Sequence, residues 1–244
     1  MKHLKLLQND LSFDNYKISN DYKVPNVVKT KNDNQIHYQN IIHYDYVDLG
    51  LPSGTLWATK NIGAETETDF GLYFAWGETK GYYYPSEEKS FTWNDYKFSI
   101  NGSDSNFSKY NHQSPEYLEH IDNAVKIYMG NEWDIPSWTN MHEVNDNCTS
   151  QYVSNYKNSG VNGLLFTSTI NSKTLFFPFA CAITNNIIEN KTANPFTMIW
   201  YNGFYHERAA CMYVDHWQNN LRLMDGQSRE RYYGASYRAI KVNN

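Results

Sequence analysis

His43, Asp45 and Asp48 stand in an H-x-D-x-x-D arrangement, and imidazole and carboxylate are the donors that hold divalent cations. The spacing matches no well-defined metal site, and a solvated polar stretch at the arm–domain junction is much the better account. His120 with Asp122, His142 with Glu143, His206 with Glu207 and Asp215 with His216 offer acid–base residue types. Neighbours this close in sequence diverge in direction on a helix, so none of these pairs is a ready proton relay. The chain contains no H-E-x-x-H, no G-x-S-x-G and no phosphate-cradling glycine loop. A pair of carboxylates for glycoside cleavage meets only in three dimensions, and 26 acidic residues always leave such a pair open. These residues point away from catalysis, and no metal or other cofactor is expected.

Recognition chemistry is better represented. Tyr82, Tyr83, Tyr84 and Trp93 fall in a stretch (80–113) rich in Tyr, Ser, Asn and Gly. Rigid rings on a long loop can stack on sugars or on a protein surface, giving contact area at low entropic cost. The alternative is that the rings plug the loop onto its own core. Trp133 and Pro136, in NEWDIPS, read as fold determinants: a buried ring beside a proline-fixed turn at a helix boundary.

The elements that must position these rings are mostly strands. Aromatics make up 16% of the 244 residues, including 21 Tyr and 7 Trp, while charged residues are only 19%. That balance favours pleated, half-buried surfaces. From Tyr46 onward, YVDLGLPSGTLWAT reads as strand, Pro-Ser-Gly turn and strand, and GLYFAWGE as a further strand bounded by glycines. Beyond residue 160 the segments GLLFTSTI, TLFFPFA, FTMIWYN, AACMYVD, LRLMD and SYRAIKV continue the β pattern. Between these blocks, Ser114-Pro115-Glu116 predicts a helix start, with Leu118, Ile121, Val125 and Tyr128 at helical spacing and Gly130 as the stop. A second, shorter helix is expected from Ser137, turning Met141 and Val144 inward. The fold class is therefore α+β, mainly β.

Residues 1–44 differ in texture. Short apolar runs (Leu4, Leu6, Leu7; Val24, Val27, Val28; Ile41, Ile42) alternate with polar stretches such as 29–35. None buries a face alone, so this arm needs a sheet edge, a sister chain or another protein to lie against. Leu4, Leu6, Val24, Pro25, Val27, Ile36 and Tyr38 are its expected assembly contacts. The domain proper is expected over 45–244.

Charge removes two classes of partner. Net charge is −5, with 26 acidic against 21 basic residues and no basic cluster, so neither phosphate backbones nor anionic lipid find complementarity. Neither nucleic acid nor membrane is expected as a partner. Cys148, Cys181 and Cys211 are odd in number and lack CxxC spacing, which fits reduced thiols, with one bridging pair as the alternative. MKHLKLLQNDLSFDNY breaks into polar residues before an apolar stretch of signal-peptide length, and no export address is expected.

The motifs VDLGLPSGTLWATKNIGA, GLYFAWGET, NEWDIPSWTNMHEV and RYYGASYRAIKV, spread over residues 46–242, resemble the Fibrobacter succinogenes major paralogous domain. The resemblance implies a C-type lectin-like fold, a twisted looped β structure with two short helices, in proteins of bacterial surfaces and their phages without established catalysis. The family's basic residue after tryptophan is here Asp134, and the calcium-lectin EPN or QPD tripeptide is absent. Trp93-Asn94-Asp95 spells the WND signature, but too early in the order, so calcium-dependent sugar binding does not carry over. The arm, MKHLKLLQNDLSFDNY with KVPNVVKTKNDNQIHYQN, is similar to the opening of virion proteins of crAss-like and other gut Bacteroidetes phages. There one segment precedes varied C-terminal domains, which implies an attachment module.

Together these readings lead to an expectation: a non-enzymatic virion protein, a head or tail fibre or capsid decoration, assembled in the bacterial cytoplasm. The arm would bind other virion proteins or sister chains, as a homotrimer, and the lectin-like domain would face host glycan. A bacterial surface adhesin and a polysaccharide hydrolase are the alternatives.

Overall fold

The computed structural model describes residues 27–32, 35–40, 44–111, 117–189, 195–217 and 220–241, with backbone only in the first two segments and at 215–226. Leu4, Leu6, Val24, Pro25 and His43 lie outside the described residues, as does the expected helix start at Ser114-Pro115-Glu116. The chain divides into two compact units, Met1–His43 and Tyr44–Asn244.

In the first unit, β1 (Val27–Asn32) pairs antiparallel with β2 (Gln35–Asn40). Val27 faces Asn40, Lys29 faces Tyr38 and Lys31 faces Ile36. Strand thus runs through the polar stretch expected to separate apolar runs, because a hairpin ladder satisfies backbone groups whatever side chains it carries.

Among its described residues the second unit is mainly β with two α-helices. β3 (Tyr46–Asp48) and β4 (Leu56–Ala58) form the expected strand–turn–strand, closed by a Gly54 N–H to Leu51 carbonyl bond of 2.8 Å. A four-stranded sheet continues from β4 through β14 (Ile240–Lys241) to β5 (Trp133–Asp134). A second sheet holds β6 (Cys148–Val153), β7 (Gly163–Ser168) and β8 (Thr174–Pro178). β9 (Ile183–Thr184) and β10 (Ile187–Ile188) make a small ribbon. The longest strands, β11 (Phe196–Tyr205), β12 (Arg208–Trp217) and β13 (Asn220–Glu230), form a three-stranded antiparallel sheet.

The segment 231–240 is the spine between these sheets. Its backbone bonds to Trp76, Phe74, Ile183, Trp200, Ile62 and Ala58 in turn. Arg238 is fully buried within it, donating Nε–H to Asn61 Oδ1 at 2.9 Å and Nη1–H to the carbonyls of Phe176 and Thr59 at 3.0 and 3.2 Å. One core cluster packs Trp76, Phe74, Tyr110, Tyr237 and Trp200, and the other Trp57, Phe166, Phe177, Ile199 and Met212.

Three expectations change on contact with this structure. GLYFAWGE is buried and carries only isolated bridges, Tyr73 to Tyr82 and Phe74 to Ala235. Its flanking glycines explain the short pairing: Gly71 and Gly77 have φ of +73° and +77°, which turn the chain at both ends. A Cβ on Gly71 would meet the Ile62 carbonyl oxygen at 2.4 Å. The helix expected from Ser114 is only α1 (Ala124–Met129), capped by Asn123, whose side chain accepts from Lys126 N–H at 3.1 Å. Residues 117–119 are not helical, and Ile121 is exposed. Residues 120–122 instead form a 3-10 turn, which carries the Asp122 carboxylate inward to Lys97, Lys109 and Tyr110. α2 (Trp138–Asn147) starts where expected, after Ser137, and buries Met141 and Val144, but it is the longer helix.

Candidate functional site

Among its described residues, 80–111, the stretch 80–113 contains one 3-10 turn, Trp93–Asp95, and otherwise irregular chain. Buried polar groups hold it down. Lys89 donates to Glu78 Oε1 at 2.8 Å and to the Asp95 carbonyl at 2.6 Å, and Lys97 N–H also donates to Glu78. The Asp95 carboxylate accepts from the backbone N–H of Ser90 and Thr92, both at 2.8 Å. Asp122 accepts from Lys97 Nζ at 2.7 Å, from Lys109 Nζ, and from the Tyr110 hydroxyl at 2.8 Å. Burial works to raise the Asp122 pKa, but the hydrogen bonds from Lys109, Lys97 and Tyr110 outweigh it and hold the carboxyl below its usual range. Burial first, then its bond to Asp122, pushes the Tyr110 phenol up to about 12. Both buried acids are thus committed to cations and N–H donors that fasten the loop.

This arrangement separates the four candidate rings. Trp93 packs into a cluster with Tyr232, Phe107 and Tyr96 at centroid distances of 4.8, 5.6 and 5.8 Å. Tyr82 meets Phe91 edge-on at 6.0 Å and carries Lys80 Nζ at 5.1 Å from its centroid. Both are half-buried plugs. Tyr83 and Tyr84 are exposed, with Tyr83 donating its hydroxyl to the Gly63 carbonyl at 2.8 Å. Trp133 is buried, edge-on to Tyr44 at 6.0 Å. Asp48 accepts from Gly50 N–H at 2.8 Å, a turn contact, and Asp45 is exposed. Among the described residues no three His, Cys, Asp or Glu side chains converge as a metal site. None of the three cysteines is in a disulfide; Cys181 and Cys211 are buried and Cys148 is half-buried.

A second surface was not legible in the sequence: a shallow cleft of about 380 Å³ on the three-stranded sheet. Two irregularities in the strand register build it. Trp200 pairs with Cys211 and Phe204 with Ala209, so residues 201–203 lie opposite Ala210 alone. Across the other ladder, Cys211 pairs with Gln227 and Tyr213 with Met224, so residues 225 and 226 lie opposite Met212 alone. Bulges of this kind re-aim side chains and often border sites. Gly203, Ala210 and Ser228 supply small residues along the cleft, and Gln227 contributes an amide.

Rings stand around it. Phe204 lines the cleft and is fixed from the core side by the Arg231 guanidinium, 4.5 Å from its centroid, and by Trp76 at 5.4 Å. Tyr205, at the hairpin tip, is 73% exposed and meets His206 edge-on at 4.2 Å. Tyr117, 57% exposed, is carried to the cleft because the next residue's N–H, on Leu118, donates to Asn202 Oδ1 at 2.8 Å. Asn202 is one of the bulged residues, so the irregularity that opens the floor also anchors a wall. Arg208 donates Nε–H to Ser228 Oγ at 3.1 Å and pairs with Glu230 at 2.6 Å. Gly203, directly after the FTMIWYN run, was the available sequence signal for a bulge.

Fold and surface together define an α+β, mainly β chain with a separate N-terminal unit and a cleft lined by aromatic residues on its three-stranded sheet. Comparison with family models, with characterised proteins and with solved structures found no match. Among the described residues no helix is long and apolar enough to cross a membrane.

Proposed function

We propose that the chain is a non-catalytic virion protein of a bacteriophage, a fibre or capsid decoration, in which a C-type lectin-like domain meets host glycan. Residues 1–43 would attach it to other virion proteins or to sister chains, and the assembled form would be a homotrimer. The observation that carries the reading is the division at His43/Tyr44 into a small hairpin-bearing unit and a large one whose exposed rings sit on a tightly fastened scaffold. Attachment and recognition are then separable jobs on one chain. The sequence resemblances of both parts support it further, and the commitment of Glu78 and Asp122 to structural ion pairs supports a domain that binds without reacting.

Light scattering on the full chain and on a version beginning at Tyr44 tests assembly. A full-length trimer that becomes a monomer on truncation is expected; a trimer surviving truncation would remove the arm from assembly. Recognition is tested by binding to host capsule or mucin glycan. Tyr83→Ala/Tyr84→Ala is expected to weaken it without changing the melting temperature, since both rings are exposed. Release of reducing ends from capsule by the purified chain would overturn the non-catalytic reading.

A further inference from the structure

We propose that the cleft between the hairpin tip of β11–β12 and the Tyr117 wall binds one or two residues of a neutral pyranose saccharide. This deepens the glycan-recognition part of the proposed function and rests on it, but it uses a different surface from Tyr83 and Tyr84.

The walls decide the chemistry. A pyranose has apolar C–H faces and a rim of hydroxyls, so its site needs flat rings beside short-range hydrogen-bonding groups. Tyr205 is the most exposed large hydrophobic side chain among the described residues, and Tyr117 stands on the same cleft. Rings left in water on both sides of one depression are surface waiting for a partner. Phe204 adds a third face that Arg231 and Trp76 hold still from beneath, so little ordering is left for binding to do.

Polar groups complete the match. Gln227 offers an amide that both donates and accepts. Ser228 Oγ already accepts from Arg208, which leaves its own hydrogen to donate. None of the lining side chains carries a formal charge, and the neighbouring described cations are engaged, Arg208 with Glu230 and Ser228, and Arg229 with the Ser228 carbonyl and the Tyr213 ring. A uronate, sialate or phosphate would lose its hydration and find no compensating cation. A volume of about 380 Å³ lies at the small end of ligand clefts, which limits the occupant to one or two sugar rings.

The test is saturation-transfer NMR and calorimetry on the full chain. The probes are methyl glycosides of glucose, galactose, mannose, fucose and the N-acetylhexosamines, with glucuronate and sialate as charged comparators. At least one neutral glycoside is expected to bind, with a Kd of about 1 mM, the range open to so small a ligand on a shallow site. Tyr205→Ala is expected to weaken that binding about tenfold or more, and its exposure leaves folding intact. Gln227→Glu, which keeps the shape and adds a charge, is expected to weaken it as well, while Ile170→Ala, exposed and outside the cleft, leaves it unchanged. Binding insensitive to both Tyr205→Ala and Gln227→Glu, or preference for the charged sugars, overturns the cleft. If glycan binding is lost in Tyr83→Ala/Tyr84→Ala and kept in Tyr205→Ala, the cleft falls and the adhesion reading stands. If no saccharide binds at all, or only a peptide does, both the cleft and glycan recognition fall, and only the assembly role is left.

Discussion

Asp122 and Arg238 bring opposite charges into the same kind of interior, and each is held by a different strategy. Arg238 has carbonyl oxygens and one amide around its guanidinium, so its charge is matched by dipoles. Asp122 has two ammonium groups and a phenol. Replacing Arg238 with Ala strands those buried acceptors, and a loss of about 3 kcal/mol in unfolding free energy is expected from urea titration. Asp122→Asn keeps the shape but removes the charge, with an expected loss of about 2 kcal/mol at neutral pH, moderated because Lys97 and Lys109 reach solvent. Folding lowers the Asp122 pKa, so its contribution is complete above about pH 4, its unfolded value, and is lost as the pH falls through the folded one. The gap between wild type and Asp122→Asn should therefore shrink between pH 7 and pH 3. A gap that stays constant would mean that the charge contributes nothing.

Helix ends give the next scale its simplest test. Ser137 accepts from Asn140 N–H at 3.3 Å, and Asn140 Oδ1 accepts from Ser137 N–H at 2.9 Å, a reciprocal cap at the start of α2. Ser137→Ala is expected to cost about 1 kcal/mol. Gly71→Ala should cost more, since a positive φ and a carbonyl oxygen both oppose the methyl group. Thermal melts of the two variants would rank them. α2 and the strands after residue 160 were legible because their signals are local: a capping hydroxyl, inward residues three apart, alternating apolar runs. The position of α1 was not, because Asp122 is buried against Lys97 and Lys109, which come from a different segment, and helical spacing does not reveal that pairing. The plugging role of Trp93 depends on Tyr232, far along the chain. The cleft depends on register shifts between three strands, which no single strand announces.

At the scale of the whole molecule, the three thiols sit at two depths and report on its opening. Cys148 is half-buried at the head of β6, whereas Cys181 and Cys211 are buried, and burial pushes the Cys211 thiol up to about 12. At pH 8 an aromatic disulfide reagent should label Cys148 in the folded chain. Labelling of Cys181 and Cys211 should wait for global unfolding, so their rate should rise with urea. Three equally fast thiols in water would mean that the domain opens locally around β12.

The central place of β14 also bears on how the chain is made. Ile240 pairs with Trp57 on one side and with Asp134 on the other. While a ribosome is still adding residues 60 to 230, β4 and β5 have no strand between them, and the core around Trp57 and Trp76 lacks its spine. Contacts this distant in sequence form late. A premature stop codon before residue 231 should therefore yield not a slightly shortened protein but an open one, exposing aromatic surface to aggregation and to proteolysis.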